Sequence, residues 1–559
     1  MIRNFLKQKF RKNFALRRII RSRKLKKCQP YWLPLLKQYK KWSEVLQKKY
    51  QKRVLIATSV GSHLPGTTLE SLLALALTLR DTEVHILLCD GVLPACLDCV
   101  LNLTISERDL AIYGPQRFLC RDCFFPAEKM FRELGLNFHR YSDYLLAENR
   151  EVAEKIASQV SISEIKNYLF HGLSIGEHAL AGVLRFYAVG ELRKEFYGEN
   201  ILRRYFKAAL LTSFVIENLL AKYNFDCAVF HHGIYIPQGI IGEVCRAKGI
   251  RVINWNPAYR RKCFIFSHGD SYHHTLMTEP IEKWENISWD DKKQNRLIEY
   301  LESRWFGTND WIWFHHSKPQ FDVESIAQKF GINFSLPCIG LLTNVIWDAQ
   351  LHYPTNIFAN MQEWLFATIS YFEKRKDLQL IIRVHPAEIR GSIPSRQPVV
   401  QEIVNKFPRL PKNIFIVPPE NPISTYPLMQ KCNAIIIYGT KTGVELTCMG
   451  KVVIVAGEAW IKNKGLTIDP KTKDEYFEIL DKLPSINHMT VEQIIRAYKY
   501  AYHFFFRRMI PIKYIDKDER TGFYKINLEK IEDLLPGRDT GIDVICDGIL
   551  KGTDFIYPH

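Results

Sequence analysis

His385 lies within the stretch RVHPAE (383–388), and a turn rich in glycine and threonine, YGTKTG, occupies 438–443. An imidazole at a strand end can donate to a departing phosphate or give it a proton. Arg383 lies two residues earlier, on the same face of an extended chain. Glu388 follows three later, where it could orient the imidazole or bind sugar. In the turn, Gly439 and Gly443 let backbone approach a ligand, and Thr440 and Thr442 add hydroxyls. Lys441 could neutralise a phosphate, and Glu445 could cap the next helix or reach a ribose hydroxyl. A helix starting near Gly443 would aim free N–H groups at the turn, a natural seat for phosphate. The P-loop spacing, Gly-x4-Gly-Lys-Ser/Thr, is missing. Both stretches also read as ordinary strand-end turns, where such residues are common.

Further polar turns hold candidates for acceptor chemistry. HHGIYIPQG (231–239) carries His231, His232, Tyr235 and Gln238, and FSHGDSYHHT (266–275) carries His268, Asp270, Tyr272, His273 and His274. Activating a hydroxyl for attack needs a carboxylate or imidazole to take its proton, and a double displacement needs a carboxylate nucleophile. Asp270 and His232 are the candidates; Asn344 and Asp348 in NVIWDAQ stand at another strand end, where they could meet donor or acceptor or cap a helix. Adjacent histidines point to opposite sides of an extended chain, which disfavours a metal there. Cysteines give a stronger metal signal: Cys96-x2-Cys99 and Cys120-x2-Cys123 can place four thiolates around structural Zn²⁺. An iron–sulfur cluster or unliganded thiols are the alternatives. No organic cofactor is expected.

These residues need elements to position them. KRVLIATSVGSHLPGTTLESLLALALTLRDTEVHILLCDG reads as strand, loop, helix, strand, and residues 225–256 repeat that order. An irregular Cys-rich insert spans about 91–125. After a charged, Trp-rich stretch (281–330), strands ending in turns are expected within 337–348, 378–388 and 413–421, and a further strand runs into Gly439. The fold class is therefore α/β, with two doubly wound domains whose strand carboxyl ends face a cleft. The expected division is a basic arm at 1–50, an acceptor-side domain at 51–315, a nucleotide-binding domain at 330–510 and an extension at 511–559.

RVHPAE followed by YGTKTGVELTCMGKVVIVAGEAW resembles the bacterial capsule polysaccharide biosynthesis family, which is Kdo-transferase-like. The resemblance covers roughly residues 335–470, and HHGIYIPQG and FSHGDSYHHT are similar to that family's acceptor-side half. It implies a GT-B glycosyltransferase architecture and sugar transfer from a nucleotide-activated donor. It puts His385 on the donor phosphate and Thr440, Thr442, Gly443 and Glu445 around the nucleotide. The His-Pro pair also resembles bacterial sialyltransferases, which implies a CMP-type donor. YGTKTG stands where those enzymes have paired serines. A CDP-polyol phosphotransferase of the teichoic-acid type and a non-catalytic nucleotide- or sugar-binding scaffold are the alternatives.

Residues 1–53 hold 19 of the chain's 77 Lys and Arg and one of its 59 acids, Glu44. The remainder is charge-balanced, so nucleic-acid binding by the globule is not expected. The arm alternates basic residues with Phe5, Phe10, Phe14, Leu16, Ile19 and Ile20, a pattern suited to an anionic membrane surface. A nucleic-acid arm or a disordered tail would share that composition. It lacks the apolar core of a secretory signal, and no run is long enough to span a bilayer. The expected location is the cytoplasmic face of a membrane, where a lipid-linked acceptor would reside.

Overall fold

The computed structural model describes residues 14–193, 195–314, 318–348, 356–485, 488–518 and 522–558. Six strands form in the first part of the chain: β1 (Lys52–Ser59), β2 (Thr82–Leu88), β3 (Asn137–Arg140), β4 (Cys227–His231), β5 (Arg251–Pro257) and β6 (Cys263–His268). Five follow in the second: β7 (Cys338–Leu342), β8 (Gln379–Arg383), β9 (Ile414–Val417), β10 (Ala434–Ile437) and β11 (Val452–Val455). β12 (Ile510–Pro511) and the hairpin β13 (Ile515–Lys517) and β14 (Tyr524–Ile526) complete the set.

The first sheet runs β12-β6-β5-β4-β1-β2-β3. Its β3-β2-β1-β4-β5 portion is parallel, and β6 and β12 add antiparallel. The second runs β11-β10-β7-β8-β9 and is parallel throughout. Both parallel portions have the doubly wound order 3-2-1-4-5, with the reversal between β1 and β4 in one and between β7 and β10 in the other. Alternate residues feed separate cores. Leu55, Ala57, Ala228 and Phe230 enter one layer, and Val54, Ile56, Cys227 and Val229 the opposite one. The second sheet does the same with Ile435 and Ile437 against Ile436 and Ile454. Burial on both faces explains the unbroken apolar runs of these strands.

Three boundaries differ from the sequence expectation. Trp32, Leu36, Trp42 and Val45 are buried in the first domain's core, so residues 32–45 are part of that domain. Trp32 is 1% exposed, and Trp42 Nε1 donates to the Leu134 carbonyl at 3.0 Å. The helix Phe14–Cys28 is held to the body by Arg21 on Asp98 (2.5 Å) and Ser22 on Asp122 (2.8 Å). Phe5 and Phe10 lie outside the described residues. The chain also returns after the second sheet: Ile510, Ile512, Ile542, Ile545 and Ile549 pack into the first core. The stretch 281–330 joins the second core through Trp284, Leu297, Tyr300 and Ile326. Among the described residues, no helix is long and apolar enough to cross a membrane.

Candidate functional site

The turns after β7, β8 and β10 meet at the second sheet's reversal point, where a crevice forms because neighbouring connections leave on opposite faces. A cavity of about 270 Å³ opens there, lined by Thr343, Asn344, His385, Gly439, Thr440 and Thr442 among others. Tyr259 and Met277, from segments following β5 and β6, line its far side.

His385 is set by three neighbours. Its N–H donates to Thr343 Oγ1 at 3.1 Å, and its ring meets Phe314 edge-on with centroids 6.1 Å apart. The Ala387 N–H donates to Nδ1 at 3.0 Å. Nδ1 is therefore the acceptor, and a neutral ring carries its proton on Nε2. Pro386, which has no N–H, starts the helix Ala387–Arg390.

The β10 turn is ordered by the neighbouring β7 turn. The Gly439 N–H donates to Asn344 Oδ1 at 3.2 Å, and a Cβ on Gly439 would stand 2.9 Å from the Glu458 carbonyl oxygen. Thr440 Oγ1 lies 3.2 Å from Thr442 Oγ1, so two hydroxyls face the same crevice.

Several expected site residues do other work. Arg383 lines the cavity, but its guanidinium donates to the carbonyls of Pro418 (2.6 Å), Asn421 (3.1 Å) and Ile423 (3.2 Å). It fixes the loop after β9, and burial lowers its pKa to about 10. Glu388 Oε2 accepts from the Val399 N–H at 3.0 Å, at the start of the helix Val399–Lys406. Burial raises that carboxyl to about 7. Gly443 is a packing residue: a Cβ would meet Ile437 Cδ1 at 2.7 Å.

Glu445 is sealed beneath the turn. It accepts from Arg304 Nε at 2.8 Å, from Lys441 Nζ at 2.7 Å and from the Tyr426 hydroxyl. Burial pushes its carboxyl up, but the charges of Arg304 and Lys441 outweigh that and hold it down at about 2. Arg304 also pairs with buried Asp310. Glu445 thus does not reach a ribose, and Lys441, although it lines the cavity, is bonded to Glu445 and lies over Tyr259 (4.5 Å).

The acceptor-side candidates are divided. His232 is partly buried at the first sheet's reversal point with positive φ (64°), and its N–H donates to the Trp255 carbonyl at 3.0 Å. Burial, then the charge of Arg185, lowers it to about 3, and burial lowers neighbouring His63 to about 4. His63 and His231 face each other with ring centroids 4.2 Å apart, and His231 Nε2 bonds Asn256 at 2.8 Å. This cluster connects to the cavity through Tyr235, whose hydroxyl donates to Asp348 at 3.2 Å. Asp270 lies outside the cavity, in a neighbouring one.

Among the described residues, no group of three or more His, Cys, Asp or Glu is placed to hold a metal ion. The expected set of Cys96, Cys99, Cys120 and Cys123 is not assembled. Cys89, Cys96, Cys120 and Cys123 border a small void of about 20 Å³, which Cys99 does not line. None of the thirteen cysteines is joined in a disulfide, and burial pushes Cys89 up to about 12.

Sequence reasoning missed Trp313 and Phe314, which wall the cavity, and Thr343, which holds His385. The aromatic run WIWF (311–314) was the available signal.

Comparison with known proteins bears on this domain. No curated protein matches the chain. Among solved structures, two KpsC enzymes of Thermosulfurimonas dismutans are similar. The β-Kdo 2,4 transferase is 12% identical, over 56% of this chain and 87% of its own, with a TM-score of 0.32. The β-Kdo 2,7 transferase is 13% identical, over 57% and 88%, with a TM-score of 0.29. The UDP-GlcNAc 2-epimerase of Neisseria meningitidis is 11% identical, over 89% and 100%, with a TM-score of 0.26. These likenesses are distant, and no site residue is assigned from them. The family comparison is local to the domain that carries the cavity: residues 345–505 match the model of the capsule polysaccharide biosynthesis protein family.

Proposed function

We propose that this protein is a glycosyltransferase of capsule or surface-polysaccharide synthesis. It moves a sugar from a nucleotide-activated donor, of CMP type, to a glycan or lipid-linked acceptor. The carrying observation is the cavity at the second sheet's reversal point, which holds His385 beside Thr440 and Thr442 within the segment matching the family. As the anomeric C–O bond breaks, negative charge grows on the donor phosphate. The Nε2–H of His385 then strengthens its hydrogen bond in the transition state more than in the ground state. The threonine hydroxyls hold the phosphates, and Trp313 or Phe314 stacks on the base.

The test is a thermal-shift panel of CMP, CDP, UDP and GDP, followed by product analysis with the matching nucleotide sugar. A ligand at about 100 times its Kd adds roughly 2.7 kcal/mol of stability. The reading requires one nucleotide to stand out and a glycosidic product to form. A phosphodiester product, or binding without turnover, contradicts it.

The proposal extends to the cell surface from within. The basic helix Phe14–Cys28 would rest on the anionic inner face of the membrane, where lipid-linked acceptors are found. Structural zinc on the cysteines remains a separate proposal with no preassembled site in support, and elemental analysis of the purified protein decides it.

A further inference from the structure

A groove of about 640 Å³ lies between the helix Phe14–Cys28 and the C-terminal hairpin, lined by Ile20, Arg23, Lys24 and Lys27 from the helix and by Phe523 and Lys525 from the hairpin. Those four helix residues recur at the spacing of one helical face. More of the groove's surface is apolar than polar, and Pro30, Tyr31, Leu35, Ile526 and Leu528 supply much of it. Its walls belong to the body of the first domain. Arg21 on Asp98 and Ser22 on Asp122 hold the helix, Gln29 Nε2 donates to the Gly61 carbonyl at 2.8 Å, and Trp32 and Tyr524 are buried in the first core. Lys24 Nζ lies 5.6 Å from the Phe523 ring centroid, which links helix to hairpin.

The charge here is one-sided. Arg23, Lys24, Lys27 and Lys525 are exposed, and among the described residues none of them forms an ion pair. Asp518 is the one acid among the lining residues. A basic rim around an apolar floor matches a ligand that is anionic at one end and apolar at the other. A free anion would leave the floor uncovered, and an uncharged lipid would leave the cations unmatched. A neighbouring groove, of about 550 Å³, shares Lys27, Pro30 and Tyr31 and adds Phe125 and Lys129, so the amphipathic character extends along this face.

We propose that the groove is a binding site for one anionic phospholipid of the membrane. Its phosphate sits among Arg23, Lys24, Lys27 and Lys525, and its first acyl carbons cover Tyr31, Leu35 and Phe523. The proposal rests on the membrane-facing reading of the first helix and deepens it from surface attraction to a built site. Diffuse attraction of a basic helix would need neither the hairpin nor an apolar floor.

The experiment uses the full chain. Sedimentation with phosphatidylserine vesicles is measured first, against phosphatidylcholine vesicles. Dihexanoylphosphatidylserine, kept below its critical micelle concentration, and inorganic phosphate are then titrated calorimetrically into wild type and Lys525→Glu. Wild type is expected to bind the short-chain lipid saturably, at about one per chain, and inorganic phosphate roughly tenfold more weakly, because phosphate covers none of the apolar floor. Lys525→Glu is expected to keep the wild-type melting temperature and to weaken lipid binding by roughly fivefold or more, the factor one basic residue supplies near an anionic surface. If that variant does not fold, Lys24→Glu decides by the same criterion. Unsaturable lipid binding, equal affinity for lipid and inorganic phosphate, or unchanged lipid affinity in the variant overturns the site and leaves the membrane reading standing. Wild type that does not sediment with phosphatidylserine vesicles, or sediments equally with phosphatidylcholine, overturns the membrane reading and the site with it.

Discussion

His385 owes its chemistry to two backbone N–H groups. Its own ties it to Thr343, and that of Ala387 fills Nδ1, so the ring presents Nε2–H. The histidine and its proline were legible in the sequence because Pro386 ends the strand and fixes the turn. Thr343 was not, because its partner lies 42 residues away and only the sheet order brings them together. Glu445 shows the opposite case. At the start of a short helix it reads as a ligand contact, but Arg304 comes to it from 141 residues earlier. Glu445→Ala is therefore expected to cost about 3–5 kcal/mol of stability, by leaving buried Arg304 and Lys441 without their shared partner. Denaturant unfolding checks the loss; unchanged stability with weakened nucleotide binding would restore a ligand role. The pH dependence has a definite sign. The folded pKa of Glu445, about 2, is below its unfolded value near 4.5, so its contribution is present above the unfolded value. That contribution is lost as pH falls from about 5 toward 2, and the alanine variant should show a flatter stability profile there.

At the scale of elements, the parallel strands were readable from their apolar runs, and the paired strand–turn–helix–strand units from their glycine-bearing turns. What the sequence could not give was membership. The segment 32–45 looks like part of a basic arm by charge, yet Trp32 and Trp42 are core residues of the first domain. Deleting residues 1–50 is expected to destabilise that domain by several kcal/mol, since losing one buried large aromatic costs about 3–5 kcal/mol. A circular-dichroism melt checks this, and an unchanged melting temperature would show that the segment is dispensable. The β10 turn allows a finer test. A methyl on Gly439 would strike the Glu458 carbonyl at 2.9 Å, and backbone must shift to admit it. Gly439→Ala is expected to weaken nucleotide binding at least tenfold, about 1.4 kcal/mol, by displacing the cavity wall. Gly443→Ala, which meets only side chains, is expected to cost about 1–3 kcal/mol of stability and leave affinity largely intact. Calorimetry on both variants separates the two glycines, and equal affinities for Gly439→Ala and wild type would remove the turn from the site.

At the scale of the whole molecule, basic side chains gather on one helix face. Arg23, Lys24, Lys26 and Lys27 are exposed on the first helix, beside Tyr31 and Phe125, which are 66% and 56% exposed. Lys27 and Tyr31 border two surface grooves, one of which includes Lys129. Replacing Arg23, Lys24, Lys26 and Lys27 with Glu is expected to abolish sedimentation with phosphatidylserine vesicles, because each basic residue contributes about 1 kcal/mol near such a surface. Retained sedimentation would exclude this face. The two sheets, meanwhile, present their reversal points to one another, with Tyr235 reaching Asp348 between them. On the proposed reading, sugar transfer in that cleft turns on one donor to the departing phosphate. The most direct measurement is the transfer rate and melting temperature of a single His385→Ala preparation with its matched donor. Loss of the Nε2–H is expected to slow transfer about 100- to 1,000-fold, equivalent to 2.7–4 kcal/mol, with the melting temperature unchanged. Transfer at the wild-type rate would show that this strand end is not where the donor reacts.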